Sequence, residues 1–256
     1  MKNVAIIQAR LGSSRFPGKM LHDLMGKPIL DWAVHRASQA RTIHRVVIAT
    51  TDSPKDLPLV EHCQKSGWDC YTGSEQDVLD RYYQAALHYQ ADRIVRITGD
   101  CPLVDPALID QALALLEMDP AVQYASNVQP ITFPEGQSVE AFPFASLKLA
   151  WEKATQPSFR EHVTPYLRFN DSFIRHASFH APAEMANLRM TVDYPEDAQL
   201  LTLLLEELKK TPYWPDFTWK QAADVMLKDE RMMKLVNMHE RDRWRKTVLA
   251  EHQNKP

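Results

Sequence analysis

Of 256 residues, 45% are apolar, 9% aromatic and 25% charged, the profile of a folded globular chain and not of a disordered one. A net charge of −3 gives no global basic field for nucleic acid, and no apolar run reaches the roughly 18 residues needed to span a membrane. The N-terminus, MKNVAIIQARLG, enters an apolar run with no signal-like segment, and Cys63, Cys70 and Cys101 contain no CxxC pair, so reduced thiols in the cytoplasm are expected.

Apolar runs alternate with amphipathic stretches along the first half. Strands are predicted at Asn3 to Gln8, Arg45 to Thr50 and Arg93 to Thr98. Helices are predicted from Pro28 to Ala40, over 54–66 with Gly67 at the end, over 76–90 and over 106–117. This β-α-β-α-β-α order predicts an α/β fold with a parallel sheet and helices on both faces. After residue 121 the pattern changes. Val122 to Ser126 is strand-like, and 128–142 is rich in Pro, Gly and polar residues with no clear element. Helices are expected at 143–154 and 158–168, strands near 172–179 and 187–192, and a helical region from 195 onward. No repeat or flexible linker divides the chain. One domain over 1–256 is therefore expected, with an inserted arm around 128–180 and a charged helical or partner-contacting tail at 229–256.

The segment after the first strand reads Gln8-Ala9-Arg10-Leu11-Gly12-Ser13-Ser14-Arg15-Phe16-Pro17-Gly18-Lys19. Two of the seven glycines fall here, and residues 1–22 carry four cations and no acid. Small residues and cations at the carboxyl end of a strand suit a polyphosphate, whose oxygens accept from converging backbone N–H groups. A plain basic surface turn is the alternative. The spacing is not that of a Walker A loop: five residues separate Gly12 from Gly18, and Met20 stands where a magnesium-binding hydroxyl would be. Nor does the loop contain the G-x-G-x-x-G of dehydrogenases.

Two aspartates end strand-like runs. Asp100 lies in Thr98-Gly99-Asp100, and carboxylates paired with phosphate oxygens are the usual way to hold Mg²⁺. Asp105, before Pro106, is better placed as a helix N-cap. Asp193 lies in Thr191-Val192-Asp193-Tyr194-Pro195, one residue too early to cap the helix that Pro195 opens, which adds weight to a metal or ligand role.

Together these segments resemble a known family. IIQARLGSSRFPGKML, TGDCPLVDP and LRMTVDYPED look like motifs of the cytidylyltransferases that activate acidic sugars, in the same order and spacing. CMP-KDO synthetase and acylneuraminate cytidylyltransferase belong to that family, and the motifs also resemble its spore coat polysaccharide branch, of the SpsF type. The resemblance covers residues 3 to about 200. It implies a Rossmann-like, mostly parallel sheet of the nucleotide-diphospho-sugar transferase kind. It implies that CMP passes from CTP to an acidic sugar, with Mg²⁺ as cofactor and a homodimer as the assembly. Ala9, Arg10, Leu11, Gly12, Ser13, Lys19 and Asp100 would hold the nucleotide, with Arg10, Arg15 and Lys19 as catalytic cations. Asp100 and Asp193 would ligate the metal.

Three further segments are less specific. Arg81 falls in a GSEQDVLDR stretch that resembles one beside the family's nucleotide, although Ser74 and Asp77 also read as a helix start. Glu140 matches the acid of a P-x-G-x-D-x-E-like acceptor segment, with Ser138 where Asp is expected, and Arg160 and His162 fall in an REHVT stretch. Glu140 is expected near the acceptor, and Arg160 and His162 either there or simply in helix packing. Arg96, on an otherwise apolar strand, needs a partner, in an ion pair or in a ligand. The alternatives to a cytidylyltransferase are a glycosyltransferase or a non-catalytic nucleotide-sugar-binding protein on the same fold.

Overall fold

The first strand, β1 (Asn3–Gln8), alternates between two apolar layers, Ala5 and Ile7 facing one and Val4 and Ile6 the other. Such a strand is buried on both faces and sits at the centre of the computed structural model, which describes residues 1–170 and 172–239. After the loop, β2 (Asp23–Leu24) and β3 (Lys27–Pro28) form a small hairpin, turned by Met25 and Gly26 at positive φ. Helix α1 (Ile29–Ser38) follows, with Pro28 at its N-cap. Then come β4 (Arg45–Thr51), α2 (Leu57–Lys65), β5 (Asp69–Gly73), α3 (Val78–His88), β6 (Arg93–Thr98) and α4 (Pro106–Met118).

The sheet continues with β7 (Tyr124–Ser126) and β8 (Glu140–Pro143), then α5 (Phe144–Lys153), α6 (Pro157–His162), α7 (Pro165–Arg168) and β9 (His176–Ser178). The order is β5-β4-β1-β6-β8-β7-β9. Only β8 runs antiparallel to its neighbours, so the sheet is mostly parallel. Helices α1, α2 and α4 cover one face, and α3, α5, α6 and α7 the other. Helices α8 (Pro195–Lys209), α9 (Trp219–Met226) and α10 (Glu230–Val236) pack with the hairpin into a third apolar cluster. The expected tail therefore contains α10, and its remainder, 240–256, lies outside the described residues.

Several boundaries differ from the sequence reading for local reasons. β5 has the sequence DCYTG, too poor in β-branched residues to signal a strand. β8 is four residues at the end of the Pro- and Gly-rich stretch. The helix expected over 158–168 is two short ones, because Val163 turns to φ 71 and Pro165 removes a backbone donor. The strand expected over 187–192 is an extended segment held by one bridge, Glu135 to Arg189. There the chain is so close that a side chain on Gly136 (φ 97) would lie 2.4 Å from the Met190 carbonyl.

Glu140 does not reach the acceptor side as a surface acid. It is 1% exposed and sits on the sheet between two cations. Arg96 Nη1 donates to Oε2 at 2.6 Å, Arg168 Nη2 to Oε1 at 2.9 Å, and the Thr164 and Tyr124 hydroxyls also donate to Oε1. Burial works against the Glu140 charge, yet Arg168 and Arg96 hold the carboxyl down at about 2. The folded value lies below the unfolded value of about 4.3, so this pairing stabilises the fold above about pH 4.3 and is lost as pH falls towards 2. Glu140→Gln leaves two buried guanidinium groups short of their counter-charge. A loss of about 3–5 kcal/mol is expected at pH 7 by urea unfolding, and the gap to wild type should narrow below about pH 4.3. Equal unfolding midpoints at pH 7 would contradict this account.

Candidate active site

The sheet's connections reverse direction at β1. Its two neighbours, β4 and β6, are reached by separate crossovers, and the crevice lies beyond the carboxyl ends of these strands, where open α/β sheets bind ligands. A cleft of about 840 Å³ opens there.

The loop after β1 is folded on itself. Ser13 and Gly18 N–H groups both donate to the Leu11 carbonyl, and Ser13 Oγ accepts from Phe16 N–H. Gly18 takes φ 74, a left-handed conformation that favours glycine, and the chain then turns so that Lys19 points inward at 5% exposure. After β6, Gly99 N–H donates to the Gln8 carbonyl at 2.8 Å. A side chain on Gly99 would meet Met20 Sδ at 2.9 Å and Gln8 O at 3.1 Å, so any larger residue would push Met20 or the strand end aside.

The third segment closes onto the second. Val192 N–H donates to the Asp100 carbonyl at 2.8 Å, and the Thr191 hydroxyl donates to the same oxygen at 3.0 Å. Asp193 and Tyr194 N–H groups both donate to Asp197 Oδ2, which fixes the start of α8. Asp197 is buried and paired in turn with Arg189, a 1%-exposed guanidinium that also reaches Glu135 and lies 3.6 Å from Asp193 Oδ2.

These ties bring the two aspartates onto one ammonium. Lys19 Nζ donates to Asp100 Oδ2 at 2.9 Å, to Asp193 Oδ1 at 3.0 Å and to the Val192 carbonyl at 2.7 Å. Arg15 pairs with Asp193 Oδ1 at 2.8 Å and lies over the Tyr194 ring. Burial disfavours the Lys19 charge, but Asp100 and Asp193 outweigh it and raise the ammonium above its ordinary pKa. For Asp193, burial pushes the pKa up, and Lys19 and Arg15 pull it below the usual carboxylate range. Both carboxylates stay open to the cleft, with side chains 26% and 23% exposed.

Of the residues predicted from sequence, Ala9, Arg10, Ser13, Arg15, Lys19, Arg81, Asp100, His162 and Asp193 line this cleft. Leu11 and Gly12 shape the loop without lining it. Arg10 is exposed and makes no ion pair among the described residues. Arg81 is 2% exposed, with Nη1 donating to the Ser74 carbonyl, and burial lowers its pKa. Arg160 stands behind the cleft, gripping Asp77 and the Trp151 carbonyl, while its neighbours Glu161 and His162 face in. Asp77 is itself the N-cap of α3, so Ser74 lies in the turn before that helix. Asp105 caps α4 as predicted.

Sequence reasoning passed over Glu75, Gln76 and Glu161, although all three stand inside segments it singled out. It also passed over Arg189, whose only signal is a charge within an extended apolar run. Among the described residues no group of three or more His, Cys, Asp or Glu side chains gathers as a metal site. Two carboxylates nonetheless suit Mg²⁺, which completes its shell with water and substrate phosphates.

Known proteins resemble this chain in sequence and in fold. The spore coat polysaccharide biosynthesis protein SpsF of Bacillus subtilis is 33% identical over 213 residues, 81% of this chain and 88% of that protein. A 3-deoxy-manno-octulosonate cytidylyltransferase of Geobacter sulfurreducens is 39% identical over 127 residues, 48% of each chain. A solved cytidylyltransferase from Leptospira borgpetersenii superposes with a TM-score of 0.86 at 28% identity, over 94% of this chain and all of that one. Residues 4–235 match the profile of the cytidylyltransferase family itself, so the chain belongs to that family and is a nucleotidyltransferase.

Proposed function

We propose that this protein transfers CMP from CTP to a hydroxyl of an acidic sugar of the ulosonic or nonulosonic type, with Mg²⁺, in surface polysaccharide biosynthesis. The observation that carries the reading is the meeting of Lys19, Asp100 and Asp193, with Nζ within 3.0 Å of both carboxylates, beside a loop of cations. The likeness to SpsF and to a 3-deoxy-manno-octulosonate cytidylyltransferase supports the acceptor class. The homodimer rests on the family resemblance. A cytoplasmic location is in keeping with the three free cysteines.

In this reading Arg10 and Arg15 bind triphosphate oxygens, together with backbone N–H groups of the loop around Ser13. Asp100 and Asp193 would hold Mg²⁺, which supplies neutralisation of charge on the phosphates. Arg81 lies on the nucleotide side of the cleft. Glu161 and His162 face the acceptor, with Arg160 positioning their helix through Asp77. The acceptor hydroxyl oxygen forms a bond to the α-phosphorus and gives up its proton to water, the bond from that phosphorus to the bridging oxygen breaks, and pyrophosphate leaves. The protein's contribution is positioning and fixed charge.

Incubation with CTP, Mg²⁺ and a panel of sugar acids, with pyrophosphate detection, tests the reaction. A glycosyltransferase or a binding protein would release none. Titration calorimetry should show CTP bound at least about tenfold more tightly than UTP, GTP or ATP. Equal affinity for all four would remove the cytidylyl assignment.

Asp100→Asn and Asp193→Asn should each lower kcat on the order of 100-fold or more, and the double variant should lose little beyond the worse single one. Both act through one site, so their effects are not additive. Asn keeps the shape, and thermal melts should show folded protein. Wild-type turnover with wild-type Mg²⁺ dependence in either variant would take that residue out of the site.

A further inference from the structure

We propose that Lys19 is the resident counter-cation of the Asp100–Asp193 pair, yielded to a divalent cation only when a nucleoside triphosphate is bound. The inference rests on the reading of the two carboxylates as the cation site. It concerns what occupies that site before substrate arrives.

All three protons of the Lys19 ammonium are committed. They go to Asp100 Oδ2, Asp193 Oδ1 and the Val192 carbonyl, at 2.9, 3.0 and 2.7 Å. None is left for a phosphate, although the family resemblance implies that Lys19 holds the nucleotide. The nitrogen fills the space between the two carboxylate oxygens, where a shared cation would stand, and its side chain is only 7% exposed. Arg15 adds a second cation to the same Asp193 oxygen at 2.8 Å. Arg189 approaches the other Asp193 oxygen at 3.6 Å.

The charge balance follows. Lys19 and Arg15 together cancel the charge of the two carboxylates, so the free protein offers a divalent cation little attraction. A bound triphosphate reverses the balance by bringing several negative charges beside the same cations. Lys19 then has a second anion within reach of a flexible four-carbon stem, and its ammonium moves without the loop having to move. Phosphate binding and cation binding become one event, linked through a single side chain. The two positions of Lys19, on the carboxylates and on the phosphates, are its states before and after nucleotide binding.

Mn²⁺ binding followed by electron paramagnetic resonance tests this without turnover. Wild-type protein should bind Mn²⁺ weakly alone, and at least tenfold more tightly with a non-hydrolysable CTP analogue, scored against the analogue alone. Lys19→Met should tighten Mn²⁺ binding without nucleotide by tenfold or more, even as catalysis falls. Lys19→Arg should keep the weak wild-type affinity. Lys19→Met with Asp193→Asn should lose the gain. Thermal melts verify folding, and if Lys19→Met does not fold, the nucleotide dependence of the wild type decides. Wild-type protein binding Mn²⁺ equally well with and without the analogue would overturn the inference and leave the cation site standing. So would unchanged affinity in folded Lys19→Met. Absence of protein-bound Mn²⁺ under every condition would overturn the inference and the cation-site reading together.

Discussion

One carbonyl group joins the site together. The Asp100 oxygen accepts from Val192 N–H and from the Thr191 hydroxyl, and so fastens two segments about 90 residues apart. Without that joint the two carboxylates would be independent loop residues. With it, the backbone fixes the distance between them, and one lysine side chain can reach both. The parallel sheet supplies the rest of the constraint: β1 and β6 are hydrogen-bonded neighbours, so the loops that follow them start side by side. Gly99 then allows the second loop to lie on the first with no Cβ between them.

The arm residues are tied to the same joint. Gln137 is fully buried, accepts from Asp105 N–H and donates to the Leu103 carbonyl, in the loop that carries Asp100. Glu135 exchanges backbone bonds with Leu188 and Met190 and pairs with Arg189. Residues 133–139 are therefore a brace between the Asp100 loop and the Asp193 segment. Ser138 stands where the resemblance leads one to expect Asp, yet the residues on either side of it still brace the site through backbone and amide bonds.

The central strands and their helices were legible because burial on both faces leaves long apolar runs, as in RVVIAT and RIVRIT. Lys19, Asp100 and Asp193 were legible because glycines and strand ends mark them. What the sequence concealed was pairing. Nothing local says that Arg96 meets Glu140, or that Asp197, in the first turn of α8, is the buried partner of Arg189. Such ion pairs join residues from different elements, and local pattern carries no record of them. For the same reason the strand expected at 187–192 looked right in composition. Its apolar side chains do pack inward, but among the described residues its strand pairing is a single bridge to Glu135.

Two buried ion clusters in this molecule look alike by charge and differ in access. Around Glu140, two arginines face a carboxylate whose side chain is 2% exposed, so no ligand can exchange with its partners. Around Lys19, the cation is the buried member and the carboxylates are open, at 26% and 23%. A network with its anions inside can only hold the fold together, because any exchange would strand a charge away from water. A network with its anions at the surface of a cleft can trade one cation for another, because water and ligands reach the carboxylates. The same chemistry thus fastens β6 to β8 in one place and keeps a site ready in the other, and the deciding quantity is which partner faces the solvent.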